Sequence, residues 1–273
     1  MRLKKLSVCA ILAAGLLFVL QGCSGIQTKK INSSAELPAP KVIEKLSSSI
    51  REGEKLKFSV RWLGMEVGTA EATVKGIEEI RGRKAYHIEA LARSNSLIDL
   101  VYPVRDEHHT YLDTERFHSL RYEKIIQEGR YRADEVMEYD QENHTATYYS
   151  RKNKSRKQMF IAKDVKDQLA AAYWFRLQPM AVGDTVHIPT EADEKNWDLE
   201  VKILQVDEVE LDKLDTFRAF QIEPMATFQG MFIRRGKIRG WISADEKRLP
   251  LMMKTKVPVL GTVTVVLVGY EGW

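Results

Sequence analysis

Four consecutive residues, Asp106-Glu107-His108-His109, form the densest grouping of side chains able to move a proton or hold a metal. An imidazole beside a carboxylate can work as an acid–base pair, and both groups ligate zinc. The spacing argues against a complete centre. In a strand successive side chains point to opposite faces, so His108 and His109 cannot converge on one atom, and no HExxH motif places a second pair on a helical face. A polar strand entry with one exposed histidine accounts for the same four letters. His87, His118, His144 and His187 are scattered singly and read as surface or satisfied polar residues. No serine stands in a G-x-S-x-G elbow, and there is no P-loop or dinucleotide glycine pattern, so acyl-transfer and nucleotide chemistry have no motif to rest on. The expectation is no catalytic set, no metal ligands and no cofactor.

Two other groupings point to binding. Trp62, Tyr86, Tyr173, Trp174, Phe175, Trp197, Phe228, Phe232 and Trp241 are numerous enough to line an apolar pocket for an acyl chain, or to fill a core. Trp174 and Phe175 are the candidate ligand-binding residues, because adjacent helix positions cannot both face one narrow packing stripe. Arg151-Lys152-Asn153-Lys154-Ser155-Arg156-Lys157 is the densest positive run; it reads as a solvated hairpin tip, with contact to the phosphates of anionic lipid as a second reading.

What must position these residues begins at the amino terminus. Arg2, Lys4 and Lys5 precede an apolar and small-residue run from Leu6 to Leu20, closed by Gln21-Gly22-Cys23. That order is a secretory signal peptide, and the run is shorter than the roughly 20 apolar residues a spanning helix needs. Leu20, Gly22 and Cys23 resemble the lipobox of bacterial lipoproteins, with Gln21 departing from the usual small or β-branched residue. The resemblance implies cleavage after residue 22, lipid attachment at Cys23 and, with Ser24 rather than Asp next, the outer membrane. Several acyl chains, each contributing about 0.8 kcal/mol per buried methylene, make such an anchor effectively permanent.

Removing residues 1–22 leaves 251 of 273 residues and lowers the basic count from 42 to 39 against 38 acids, a net charge of +1. A whole-surface attraction for nucleic acid is not supported. Cys9 leaves with the signal and Cys23 is consumed by lipid, so no intrachain disulfide can form. Residues 23–50 mix Ser, Lys and Pro without an apolar period and read as a lipidated tether, and residues 51–273 as a single β-rich domain.

Within that domain the period is two. Leu56, Phe58, Val60 and Trp62 alternate with polar residues, Gly64 and Gly68 bracket a bend, and a hairpin turns at Arg81-Gly82. Leu120–Ile126, Tyr131–Tyr139 and Thr145–Tyr149 continue a meander, and strands resume at Trp197–Ile203, Phe217–Glu223, Met231–Arg235, Lys237–Ser243, Leu249–Val257 and Thr262–Gly269. Val263–Val268 is apolar on both sides and predicts a central or covered strand. Asp164–Gln178 breaks the rhythm: Asp164 can cap, Val165, Leu169, Ala172, Tyr173 and Leu177 fall near helical spacing, and Pro179 stops it.

Trp62-Leu63-Gly64 with Val67-Gly68, the run Asp167-Gln168-Leu169-Ala170-Ala171-Ala172-Tyr173-Trp174-Phe175-Arg176 before Pro179 and Gly183-Asp184, and Gly240-Trp241-Ile242-Ser243 with Arg248-Leu249-Pro250 and Gly261 resemble the bacterial envelope family DUF3108, a domain of unknown function. The resemblance spans nearly all of the domain and implies a mostly antiparallel β fold in an exported protein; the family supplies no catalytic residues to carry over. Together these readings predict a mainly β chain, a curved antiparallel sheet or incomplete β-barrel with one principal helix. They describe a lipoprotein on the periplasmic face of the outer membrane that binds a hydrophobic envelope ligand or a protein partner without catalysis. The alternative is an envelope hydrolase or transferase with a polar site near His108.

Overall fold

The computed structural model describes residues 28–30, 50–212, 214–228, 231–232, 237–257 and 261–273. Cys23, the signal segment, most of the tether, the Arg235-Gly236 turn and the side chains of Phe228 and Phe232 lie outside the described residues. Among the described residues, sixteen strands and two helices follow one another. The strands are β1 (Thr28–Lys30), β2 (Lys55–Trp62), β3 (Met65–Ile80), β4 (Arg83–Ser94), β5 (Arg105–Asp113), β6 (Ser119–Glu128), β7 (Tyr131–Asp140) and β8 (Thr145–Ser150), then β9 (Arg156–Phe160), β10 (Thr185–Ala192), β11 (Lys195–Glu210), β12 (Thr216–Phe228), β13 (Met231–Phe232), β14 (Lys237–Ser243), β15 (Pro250–Val257) and β16 (Gly261–Glu271). Helix α1 (Ser96–Asp99) sits between β4 and β5, and α2 (Gln168–Arg176) between β9 and β10.

All strands join one antiparallel sheet in the order β1-β11-β12-β14-β15-β16-β2-β3-β4-β5-β6-β7-β8-β9, with β10 beside β11 and β13 beside β12. This is the curved, open sheet with one main helix that the alternation implied. The two-residue turns Leu63-Gly64 and Arg81-Gly82 have positive φ at both positions, the twist-matched geometry that tight hairpins prefer. β16 lies between β15 and β2, a central place that fits its two-sided apolar run.

Three local expectations are corrected. Gly68 lies within β3 rather than at a bend, and a Cβ there would stand 2.3 Å from the carbonyl of Arg93, so it marks close strand approach. The helix cap is Asp167, whose Oδ1 accepts from the N–H groups of Leu169 and Ala170, while Asp164 sits earlier in the left-handed region at φ 52°. The reason is tertiary: Oδ2 of Asp167 also accepts from the buried hydroxyls of Thr110 (2.6 Å) and Ser119 (2.5 Å), which fixes the start of the helix against β5 and β6. Thr28–Lys30, within the segment read as a tether, pairs with Asp207–Val209 of β11 as an edge strand. The sequence reading also passed over β10, whose Pro189 argues against an interior strand; β10 takes its ladder from β11, with one parallel bridge at Thr190–Lys166 on the other side.

The core explains the helix. Leu169, Ala170, Tyr173 and Leu177 pack with Val74, Ile88, Leu112 and Tyr139 of β3–β7, whereas Ala171 and Phe175 pack with Ile188, Leu199, Val201 and Phe220 of β10–β12. A helix apolar on most of its circumference must be covered on most of it. The sheet therefore curls around α2, which fills the space between its two halves.

Candidate functional site

The four residues Asp106–His109 are divided between the faces of β5. His108 is 3% exposed; its Nδ1 lies 2.6 Å from the Tyr122 hydroxyl, and the two rings stack at 5.9 Å. Burial, reinforced by Lys124, pushes its pKa down to about 3, so the ring is neutral across physiological pH. Asp106 turns to the same buried side and accepts from the backbone N–H of Gln127 at 2.9 Å. Glu107 and His109 point to the opposite face, half-buried.

Phe175 is 4% exposed within the β10–β12 cluster, and Trp174 lies half-buried against the same cluster, with the Lys166 ammonium 4.6 Å from its ring centroid. Adjacent helix positions both find packing because the sheet covers α2 on two sides. Neither residue lines the cavity of about 390 Å³ at the end of the sheet that carries the β3–β4, β5–β6 and β7–β8 turns. That cavity presents Arg81, Arg83, Arg116 and Lys163 beside Asp140, Glu142 and Asp164. Its charges are partly committed to the fold: Arg83 Nε donates to Asp113 at 2.7 Å, and Arg81 donates to the carbonyls of Leu120 and Tyr139. Burial works against the Asp113 carboxylate, but Arg83 and the N–H groups of Arg116 and Glu115 outweigh it and hold the carboxyl below its usual range. A lining of this polarity suits no acyl chain.

The opposite end of β2–β9 is different. Leu63 and Met65 flank the β2–β3 turn and are 46% and 63% exposed, while Leu97, Leu100 and Val101, in and after α1, are 69%, 83% and 85% exposed. Tyr102 and Tyr131 add two exposed rings. The apolar tip is rigidly held. Asn95 caps α1 through its side chain to Ile98 N and donates to the carbonyl of Glu66, tying the α1 segment to β3. Arg105 pairs with Asp99, and Tyr102 lies over Gly129, where a Cβ would meet the ring at 2.7 Å. Further along the same rim stand Arg130, Arg132, Lys152 and Lys154, with Lys152 donating to the carbonyl of Arg132 at 2.9 Å. Arg151, at the start of the basic run, is instead paired with Glu123 and Asp134, and Lys157 with Glu194.

Sequence reasoning overlooked this tip. Its signal was available: Leu97-Ile98-Asp99-Leu100-Val101-Tyr102 is nearly all apolar, bounded by Asn95 and Pro103, and follows no strand period. Isolated apolar residues at a surface are ordinary, but a contiguous exposed group marks an interaction site.

The fold is thus a β-barrel-like open sheet wound on a single helix, with an apolar, basic-flanked tip at one end. The chain belongs to the DUF3108 family of proteins of unknown function, whose model matches residues 57–268. Among solved structures it is similar to a β-barrel-like protein of the family DUF1849 from Brucella abortus, at TM-score 0.54 and 6% identity, covering 82% of this chain and 99% of that one. It also resembles a protein with a YmcC-like fold from Bacteroides fragilis, at TM-score 0.37 and 9% identity over 81% of this chain and 96% of that one. The first likeness shows the fold alone. No curated protein sequence matches the chain.

Proposed function

We propose that this is a noncatalytic lipoprotein of the outer membrane, anchored through Cys23 on the periplasmic side, that engages the interface of an anionic envelope lipid layer with the tip built on α1. The observation that carries the reading is the exposure of Leu97, Leu100 and Val101 together on a braced turn, flanked by Arg130, Arg132, Lys152 and Lys154. Apolar side chains enter the acyl boundary while neighbouring cations remain at the phosphates, the division of labour that interfacial segments use. The Met1–Cys23 segment supports delivery to that compartment. No helix among the described residues is long and apolar enough to cross a membrane.

Flotation with vesicles tests this. The chain from residue 23 onward, carrying Cys23→Ser to remove the acyl anchor, is expected to float with vesicles rich in phosphatidylglycerol and far less with phosphatidylcholine alone. Leu100→Asp with Val101→Asp should weaken partitioning by about 100-fold or more, since burying each such side chain contributes about 1.5–3 kcal/mol. Lys152→Ala with Lys154→Ala should weaken it by roughly 30-fold on anionic vesicles only, at about 1 kcal/mol per cation. Equal flotation of the aspartate variant and the parent would overturn the reading.

A further inference from the structure

On one face of β3–β5, four side chains form an unbroken chain of contacts. Glu78 Oε1 lies 2.6 Å from His87 Nδ1, His87 Nε2 lies 2.9 Å from His109 Nδ1, and His109 Nε2 lies 2.7 Å from Glu107 Oε1. The register creates it. Glu89 of β4 is directly opposite His109 of β5, and Glu107 is two residues before His109, so all three share a face. Ligand atoms of Glu89, Glu107 and His109 all lie within 4.8 Å of one another.

Proton counting shows what is missing from the chain. An ionised carboxylate only accepts, and a neutral imidazole brings one N–H. Three hydrogen bonds in series between two carboxylates contain three protons, and two neutral imidazoles supply two. One more proton or a bound cation completes the series, and His109 Nε2 faces Glu107 beside the further carboxylate of Glu89. We infer that Glu89, Glu107 and His109 form a binding site for one divalent transition-metal ion of the Zn²⁺ type.

A cation bound to His109 Nε2 takes the place of the third proton. His109 Nδ1–H then donates to His87 Nε2, and His87 Nδ1–H donates to Glu78, so each of the four imidazole nitrogens has a partner. This is the outer-shell arrangement that orients metal-bound histidines, here relayed through a second imidazole. His87 is a positioning residue, held by stacking on Tyr111 at 4.7 Å and 14°. An imidazole with two carboxylates is a donor set for Zn²⁺, with bonds of about 2.0–2.2 Å and an open position for water. Lys75 Nζ, 3.4 Å from Glu89, is the cation the ion would displace or share with. The nearby Glu123 is already occupied by Arg151 and Arg121. By sequence His87 is a single, scattered histidine apart from the Asp106–His109 run; the β4–β5 register brings it to His109.

Chelator-stripped protein, the full chain from residue 23 onward, is titrated with Zn²⁺ by calorimetry and with Co²⁺ by visible absorption. One ion per chain is expected, with a Co²⁺ ligand-field band. His109→Ala and Glu107→Gln should each weaken binding by about 100-fold and abolish the band, and His87→Ala by about 10-fold. His187→Ala, remote from the site, should change neither. Glu107→Gln is near-isosteric and keeps the test valid if the alanine variant is poorly folded. Absence of uptake by the folded parent, or uptake unaltered in both ligand variants, would overturn the assignment.

Discussion

Arg176→Met is expected to lower the free energy of unfolding by about 3–5 kcal/mol, the usual consequence of stranding one member of a buried ion pair. Arg176 closes α2 and directs both terminal nitrogens at Glu54, at 2.7 and 2.8 Å, with side-chain exposures of 5% and 0%. Its Nε donates to the carbonyl of Arg248 at 3.0 Å, and its guanidinium lies 4.9 Å from the Tyr173 ring centroid. One side chain thereby joins the end of the helix, the entry to β2 and the turn between β14 and β15. Without it the Glu54 carboxylate has no compensating cation in a place water cannot reach. Replacing both partners, Glu54→Leu with Arg176→Met, removes the stranded charge together with the pair, and most of the lost stability should return. Urea denaturation of the two singles and the double closes a mutant cycle. A single-variant cost below about 1 kcal/mol, or a double variant no better than the worse single, would show that the pair is not what holds helix to sheet.

The second large effect concerns pH. Glu191, on the β10 strand that the sequence did not disclose, is 3% exposed. Its Oε2 accepts from the Tyr139 hydroxyl at 2.7 Å and its Oε1 from the N–H of Glu194 at 2.9 Å. Burial pushes its pKa up to about 7, against the opposing pull of Tyr139 and Lys124. A carboxyl whose pKa is higher in the folded chain than in the unfolded one favours the fold while protonated. That stability is present in full below about pH 4.5 and is lost as pH rises through about 7. The span corresponds to about 3 kcal/mol, at about 1.4 kcal/mol per pKa unit. Other groups titrate in the same window. His118, whose pKa burial lowers despite its contact with Asp164, contributes in the opposite sense. Comparison with Glu191→Gln isolates the carboxyl, since Gln keeps an acceptor and the Tyr139 hydroxyl can turn to accept. From pH 5 to pH 8 the parent should lose stability relative to the Gln variant. Parallel stability curves for the two proteins would refute the assignment.

Much of the architecture is legible without coordinates because its rules are local. Leu56, Phe58 and Val60 alternate with polar neighbours, and Arg81-Gly82 has the positive-φ geometry of a tight turn. The helix after β9 is announced by a window of helix formers ending before Pro179. Where local rules compete the reading slips. Asp164 and Asp167 are both plausible caps by residue type, and the buried hydroxyls of Thr110 and Ser119 select the second. Pro189 conceals β10 because its missing N–H matters only if both sides of the strand must be laddered.

The candidate sites were harder to read for a different reason. Whether Leu100 faces water or a neighbour, whether His87 meets His109, and whether Arg176 finds Glu54 depend on which strands are adjacent and how far the sheet curls. Residue type and period are properties of a few consecutive positions, so the sequence by itself determined most of the strands and their tight turns, the presence of the one principal helix and the family, but not β1, β10 or the helix cap. Only the tertiary structure decided what lies across each strand, because register and curvature are set by the summed packing of the sheet around α2. Partners 22 and 122 positions apart, His87 with His109 and Glu54 with Arg176, are outcomes of that sum.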